Sequence, residues 1–336
     1  MPERLEQLKN WLQTDCGFTD YQIEPASGDA SFRRYFRITL PDSTTRIVMD
    51  APPDKEDCEP FVRIARQLEK LGLNVPSILA ENHGQGFLLL KDLGSTQYLD
   101  RLDDENVDQF YGDAMTALQL LQTGCATSGL PDYDDKLLLQ EMELFREWLL
   151  NKQLGIQLSD EENHTLDEAF DLLAENALQQ PRVCVHRDYH SRNLMIPSKP
   201  DHGAIPGILD FQDAVYGPIT YDLVSLLKDC YIAWPREKVL EWVKQYCEYC
   251  IQAGLVKSQD GDKFLRWFDL MGVQRHLKAA GIFARLNIRD GKNGYLKDIP
   301  RTVGYITFLG GAYPELEGLV RLIHNYPSLF SITGNS

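Results

Sequence analysis

Residues 185–193, VHRDYHSRN, put two histidines, two arginines, an aspartate and an asparagine into nine positions. The spacing is His186-x-Asp188-x4-Asn193, and the apolar run Leu194-Met195-Ile196 follows at once. A polar loop over 197–206 leads to a second apolar run, Gly207-Ile208-Leu209, which ends in Asp210. Two short strands joined by such a loop make a hairpin, and a hairpin brings Asp188, Asn193 and Asp210 to one end. Two carboxylates and an amide oxygen that converge can hold a hard divalent cation. One carboxylate could instead stay off the metal and accept a hydroxyl proton. Phosphoryl transfer needs both services: a metal ion on the phosphates, and a base that orients the attacking hydroxyl.

The protein-kinase signature has this logic, with an H-R-D loop, an asparagine five residues after its aspartate, and a metal-binding aspartate beyond a hairpin. His186-Arg187-Asp188 matches it literally, Asn193 has the right offset, and Asp210-Phe211 opens the metal-binding triplet with Gln212 in place of glycine. An isolated HxD arises by chance in many sequences. The compound pattern is far more specific. His186 reads as a hydrogen-bonding residue behind the loop, Asp213 as an accessory carboxylate, and Asp222, after Gly217-Pro218, as a tether for the loop.

The elements around these residues divide the chain. Leu5, Leu8, Trp11 and Leu12 have helical spacing near the start. Beyond Gly17 come β-rich runs, Tyr35–Leu40 and Arg46–Met49, separated by Pro41-Asp42-Ser43, which reads as antiparallel strands. Phe61, Ile64, Ala65, Leu68 and Leu71 mark one helix face, stopped by Gly72, and strands follow near 77–81 and 86–90. From about 104 the pattern is helical, broken mainly at 182–213, and helices resume from Tyr221. The expected architecture is α+β: a small β-rich lobe over 1–93 and a larger, mainly helical lobe over 94–336.

The balance of 50 acidic against 34 basic residues leaves a net charge of −16, which repels nucleic acid and anionic lipid. An anionic ligand would need a local cluster of cations or a metal ion. Seven irregularly spaced cysteines do not read as a disulfide framework. Cys247 and Cys250 form a CxxC in a helical setting without a second pair, so they are not expected to bind zinc. The N-terminus lacks the apolar core of a signal peptide, and no run approaches the roughly 18 apolar residues of a membrane span. A cytoplasmic protein with a small-molecule substrate is the expectation.

VHRDYHSRNLM followed by ILDFQDA resembles the aminoglycoside phosphotransferase family, which shares a bilobal fold with protein kinases. SGDASFRRYFRI, VMDAPP, LLLKDLG, FQDAVYGPITYDLVSLLKDCY and QRHLKAAGIFARL are similar to one branch of it, the bacterial anomeric kinases of N-acetylmuramate and N-acetylglucosamine. The resemblance implies ATP as donor and an amino sugar as acceptor, bound in a cleft between lobes. It implies Asp188 as catalytic base and Asn193 and Asp210 as Mg²⁺ ligands. Lys91, Asp92 and Leu93 would form the hinge that meets the adenine. Gly28, Asp29, Ala30 and Ser31 would lie over the phosphates, although residue types alone favour a plain hairpin turn there.

One departure is plain. Protein kinases carry a phosphate-binding lysine on the third strand, and here Arg46-Ile47-Val48-Met49-Asp50 has none. Arg34, Arg37 or Lys55 could supply the charge. On the acceptor side, the carboxylate of N-acetylmuramate calls for a cation, and Arg187, Arg192, Arg275, His276 and Lys278 are candidates, each equally readable as a structural ion-pair residue. Rival readings are an aminoglycoside or choline-type phosphotransferase and a catalytically silent kinase-like nucleotide-binding protein. The oligomeric state stays open.

Overall fold

The computed structural model describes residues 2–28, 32–197 and 205–333. The chain packs into two compact units, one running as far as Arg101 and including Asn193–Asp213, the other built from Leu102–Arg192 and the chain from Ala214 onward. Composition had placed a boundary at residue 93 and left the hairpin with the helical lobe. Contacts instead group 193–213 with the β-rich segment.

In the first unit, α1 (Pro2–Thr14) precedes five antiparallel strands: β1 (Gln22–Gly28), β2 (Arg34–Thr39), β3 (Thr45–Asp50), β4 (Ile78–Asn82) and β5 (Phe87–Lys91). Their order is β1-β2-β3-β5-β4. Pro25 lacks an N–H, and it sits on the edge strand β1 beside a register shift, where a missing donor costs least. Leu8, Trp11 and Leu12 of α1 pack with Ile38, Val48, Phe87 and Leu89. Helix α2 (Glu59–Lys70) buries Phe61, Val62, Ile64, Ala65 and Leu68, the face its spacing marks out, and Gly72 takes the left-handed φ of +79° just past its end. All of Phe87–Leu90 is buried, as expected of a central strand covered on both faces.

The hairpin joins this unit through the backbone. Leu194 and Met195 pair with Ile208 and Gly207, Ile208 N–H donates to Asn74 O at 2.8 Å, and Ile196 N–H to Thr96 O at 2.9 Å. Phe211 stacks on Phe61 with ring centroids 4.9 Å apart. A Cβ on Gly207 would meet the side chains of Leu93 and Met195 at 3.0 Å, so a larger residue would push them back by a few tenths of an ångström.

The second unit is helical: α3 (Val107–Gly124), α4 (Asp135–Leu144) running into a π-helical stretch at Phe145–Gln153, α5 (Asp160–Leu178), α6 (Tyr221–Leu227), α7 (Arg236–Gln252), α8 (Gly261–Asp290), α9 (Ile299–Phe308) and α10 (Glu317–His324). One two-stranded ribbon, Arg182–Val185 with Val215–Pro218, is set among them. Most of α8 from Trp267 to Leu286 is buried, which makes it the central post of the unit. Cys247 and Cys250 lie on α7, all seven cysteines are free thiols, and among the described residues no three His, Cys, Asp or Glu side chains gather as a metal site.

Gly281 shows how tightly α8 is seated. A Cβ there would come within 2.3 Å of the Leu144 carbonyl carbon and 2.6 Å of Phe145 N, where α4 turns π-helical. Backbone cannot retreat cheaply, so Gly281→Ala is expected to destabilise the unit by about 1–3 kcal/mol and to lower its melting temperature by several degrees. Gly304 of α9 has nothing within 4 Å of its missing Cβ. Gly304→Ala is therefore expected to do the opposite, adding roughly 0.5–1 kcal/mol through backbone entropy. Thermal melts of the two variants check both signs.

Candidate active site

The strand Arg182–Val185 delivers the chain to His186, and the next residues are held by buried carboxylates. Asp222, in the first turn of α6, accepts from His186 N–H at 2.7 Å and Arg187 N–H at 2.9 Å. Arg187 has a left-handed φ of +78°, uncommon for a side chain of its size, and this double anchor fixes it. Burial pushes the Asp222 carboxyl up to about 7 against the pull of the two donors. Asp188 N–H donates to His186 Nδ1 at 3.2 Å, which confirms His186 as a loop-supporting residue. Further on, Asp229 accepts from Ser191 N–H at 2.9 Å and Ser191 Oγ–H at 2.5 Å, and Tyr189 Oη donates to Ala114 O at 2.8 Å. The tether expected at Asp222 is present, and Asp229 is a second one.

Asp188 sits among cations. Burial alone would raise its carboxyl pKa, but the charges of Lys278, Arg275 and Arg187, joined by His190 at low pH where that ring is protonated, bring it below the usual value. Lys278 and Arg275 come from one turn of the buried α8. Glu141 of α4 anchors this charge: it pairs with Arg187 and lies 3.0 Å from Lys278 Nζ, and Tyr133 Oη donates to it. Lys278 Nζ also donates to Tyr221 Oη at 2.9 Å. Burial lowers the pKa of His190 below that of free imidazole, so His190 is neutral at pH 7. The arrangement favours an ionised aspartate, the state a hydroxyl-accepting base requires.

Asn193 and Asp210 close the open end of the hairpin. Leu209 N–H donates to Asn193 O at 3.0 Å, and the Asn193 amide lies 3.4 Å from Asp210 Oδ2. Asp210 is turned toward the asparagine by a left-handed φ of +66°. The Gln212 amide bridges Asp210 Oδ1 at 2.8 Å and Asp213 Oδ2 at 3.2 Å, so glutamine in the glycine position links the two carboxylates. One amide and one or two carboxylates form a hard oxygen donor set. It fits Mg²⁺, which takes few protein ligands and completes its shell with water and phosphate oxygens.

A family model described as a phosphotransferase enzyme family, APH, matches residues 22–255. The chain belongs to this family. Among its curated relatives, the N-acetylmuramate/N-acetylglucosamine kinase of Pseudomonas putida is 45% identical over 336 residues, covering 96% of this chain and 97% of that one. The kinase of the same name from Pseudomonas aeruginosa is 46% identical, with 96% and 97% covered, and that from Neisseria meningitidis 42%, with 96% and 95%. Solved phosphotransferases share the fold at low identity. The GDP complex of aminoglycoside 2'-phosphotransferase-IIIa superposes with a TM-score of 0.61 at 15% identity, covering 90% of this chain and 99% of that one. ADP-bound aminoglycoside phosphotransferase APH(2'')-Ib gives 0.57 at 16%, with 89% and 97% covered. The family's kinase-like fold, a β-sheet part followed by a mainly helical part, is the one expected from the sequence.

The residues expected on the nucleotide side of this phosphotransferase lie in the first unit. Lys91 ends β5, exposed, with its N–H on Ser77 O at 2.9 Å. The Asp92 side chain is already committed. It accepts from Arg37 at 2.6 and 3.1 Å and from Gly94 N–H at 2.8 Å, and although burial acts to raise its pKa, Arg37 keeps it below normal. Leu93 is buried under Gly207. Gly28 ends β1, paired with Arg34, while Asp29, Ala30 and Ser31 lie outside the described residues. Of the cations weighed for the missing lysine, Arg37 is paired to Asp92 and Arg34 to the buried Asp50, which Arg4 shares. Lys55 lies over the Phe32 ring at 4.7 Å with no ion pair to a described carboxylate. The sequence reading passed over Arg33, which is buried and pairs with Glu56 at 3.1 Å.

The acceptor-side candidates, all in the second unit, are less alike than their sequence suggested. Arg275 is buried, with a guanidinium N–H on Cys230 Sγ at 3.7 Å. His276 is buried and neutral, its pKa pushed down to about 3 by burial and by Arg275, with Nε2 2.9 Å from Lys228 O and its ring stacked on Tyr305. Lys278 is taken by Glu141 and Tyr221. Arg192 is half-buried and lies near the rings of Tyr231 and Tyr295, and unlike Arg187, also half-buried but paired with Glu141, it is in no ion pair among the described residues. Two supporting acids went unread, and both left a trace. Asp229 follows Asp222 by seven residues and lies just past the end of α6. Glu141 interrupts the apolar stripe of Leu138, Met142 and Phe145, a charge where burial demands a partner.

Proposed function

We propose that this phosphotransferase moves the γ-phosphoryl group of ATP to the anomeric C1 hydroxyl of N-acetylmuramate and N-acetylglucosamine. The observation that carries the reading is the ionised Asp188, fixed by Asp222 and surrounded by Lys278, Arg275 and Arg187, in the loop whose next residues lead to Asn193. The names of relatives aligned from end to end supply the acceptor. Asp188 accepts the proton of the C1 hydroxyl and aims its oxygen at the phosphorus. A hemiacetal hydroxyl is more acidic than an ordinary alcohol, so a base of depressed pKa suffices. Asn193 and Asp210 would hold Mg²⁺, which offsets phosphate charge when bound. Reaction in the cytoplasm, where ATP is made, fits a chain of free thiols, and the sugar 1-phosphate product suits a role in reusing cell-wall sugars.

The test is a panel with Mg-ATP: N-acetylmuramate, N-acetylglucosamine, glucose, kanamycin and choline, read by ADP release and phosphorus NMR. A C1 phosphate on the N-acetylated sugars is the expected product. Release only with kanamycin or choline would keep the loop chemistry and discard the sugar. Silence with every acceptor, despite nucleotide binding, would favour a binding protein.

A further inference from the structure

Arg192 differs from the other guanidinium groups near the loop. Its guanidinium carbon lies 4.5 Å from the Tyr231 ring centroid and 5.6 Å from that of Tyr295, and these rings are linked by Phe283, which stacks on Tyr295 at 5.6 Å. The Tyr231 side chain also hydrogen-bonds this guanidinium, and a guanidinium has enough N–H donors in its planar fork to offer others to a planar acceptor. Among the described residues Arg192 forms no ion pair, whereas Arg187 and Arg236 in the same unit are each tied to a buried carboxylate. Asp298, which acts on it through space, belongs to Arg301. Arg192 is four residues from Asp188, and His190 between them feels both charges. Arg187 and Lys278 are paired with Glu141, Arg275 is buried against Cys230 Sγ and His276 is uncharged, so Arg192, half-buried and in no ion pair among the described residues, is the cation on this side equipped to meet an outside anion. In a protein of net charge −16, an anionic sugar has particular need of one.

Building on the amino-sugar reading, we propose that Arg192, held by Tyr231 and Tyr295, receives the lactyl carboxylate of N-acetylmuramate and sets the preference between that sugar and N-acetylglucosamine, which has no such group. The other acceptor contacts serve both sugars and raise uptake without discriminating.

The test is a cycle between protein and substrate. kcat/KM is measured on N-acetylmuramate, its lactyl methyl ester and N-acetylglucosamine, for wild type, Arg192→Gln and Arg192→Lys. Arg285→Gln removes an equal charge from the same unit as a control, and melts with and without ATP verify folding. Arg192→Gln is expected to lower the N-acetylmuramate to N-acetylglucosamine ratio by about 10- to 100-fold, the cost of losing a charge-assisted bidentate pair. Wild type is expected to lose a similar factor on the ester, and Arg192→Gln to treat acid and ester alike. Arg192→Lys, with charge but no plane, falls between. An equal loss on both sugars, or a wild type indifferent to esterification, would overturn the assignment while leaving the kinase reading intact. A wild type inactive on both sugars would overturn that reading and this inference with it.

Discussion

Asp188→Asn is expected to lower kcat by roughly 10²- to 10⁴-fold, the usual worth of a general base, while ATP affinity stays near wild type. The amide matches the carboxylate in size, and the backbone that places it is fixed from behind by Asp222 and Asp229. It cannot take a proton, and it withdraws the negative charge that faces Lys278, Arg275 and Arg187. Turnover under saturating Mg-ATP, with nucleotide affinity from calorimetry, checks the split. More than half of wild-type turnover would remove Asp188 from its role. The pH profile gives a second reading. The Asp188 carboxyl is depressed, so the base is ionised throughout the neutral range and contributes no acid limb between about pH 5 and 8. For the same reason its contribution to folding is complete above the unfolded carboxylate pKa of about 4 and is lost as pH falls through the lower folded value.

The second large effect is expected at Asp210. Of the two residues assigned to Mg²⁺, Asn193 is uncharged, so Asp210 supplies the formal charge. Asp210→Asn keeps the shape, and keeps a side-chain oxygen for the Gln212 amide. It should raise the Mg²⁺ concentration for half-maximal activity by at least about tenfold and cut turnover by roughly 10²- to 10³-fold, the scale of losing one preorganised electrostatic contact at the transferring group. Asp213→Asn, one step removed through Gln212, should shift the Mg²⁺ requirement less. A Mg²⁺ titration of both variants decides it, and an unchanged half-maximal concentration in Asp210→Asn would refute the assignment.

Much of this was legible because local pattern and tertiary need agreed. The face of α2, the strands β2 to β5 and the hairpin after Asn193 are each written in a few neighbouring residues, and the fold allowed little else. The Asp222 tether was readable because an acid at the start of a helix, close behind the catalytic loop, has loop N–H groups to satisfy. What was missed depends on distance in sequence. Glu141 meets Arg187 and Lys278 across 46 and 137 residues, and no local rule couples a helix-face glutamate to a loop so far away. The five acceptor-side candidates looked equivalent because a sequence shows charge but not who neutralises it. The structure separates them: His276 is neutral, Arg187 and Lys278 are paired with Glu141, Arg275 is buried, and Arg192 lies beside tyrosines.

The hairpin has a consequence for how the protein is made. The β-rich unit is drawn from two stretches of chain separated by about ninety residues that belong to the other unit. Until residue 213 has been synthesised, Leu93 lacks Gly207, Phe61 lacks Phe211, and the backbone at Asn74 and Thr96 waits for its partners. A nascent or truncated chain ending near Arg101 would hold all five strands yet expose the apolar surface that the hairpin covers, the kind of surface on which partly folded chains aggregate. Closing so long a loop is a slow step. The two units cannot be cut apart at one bond, and the natural order of synthesis makes segment 102–192 emerge before the hairpin that completes the first unit.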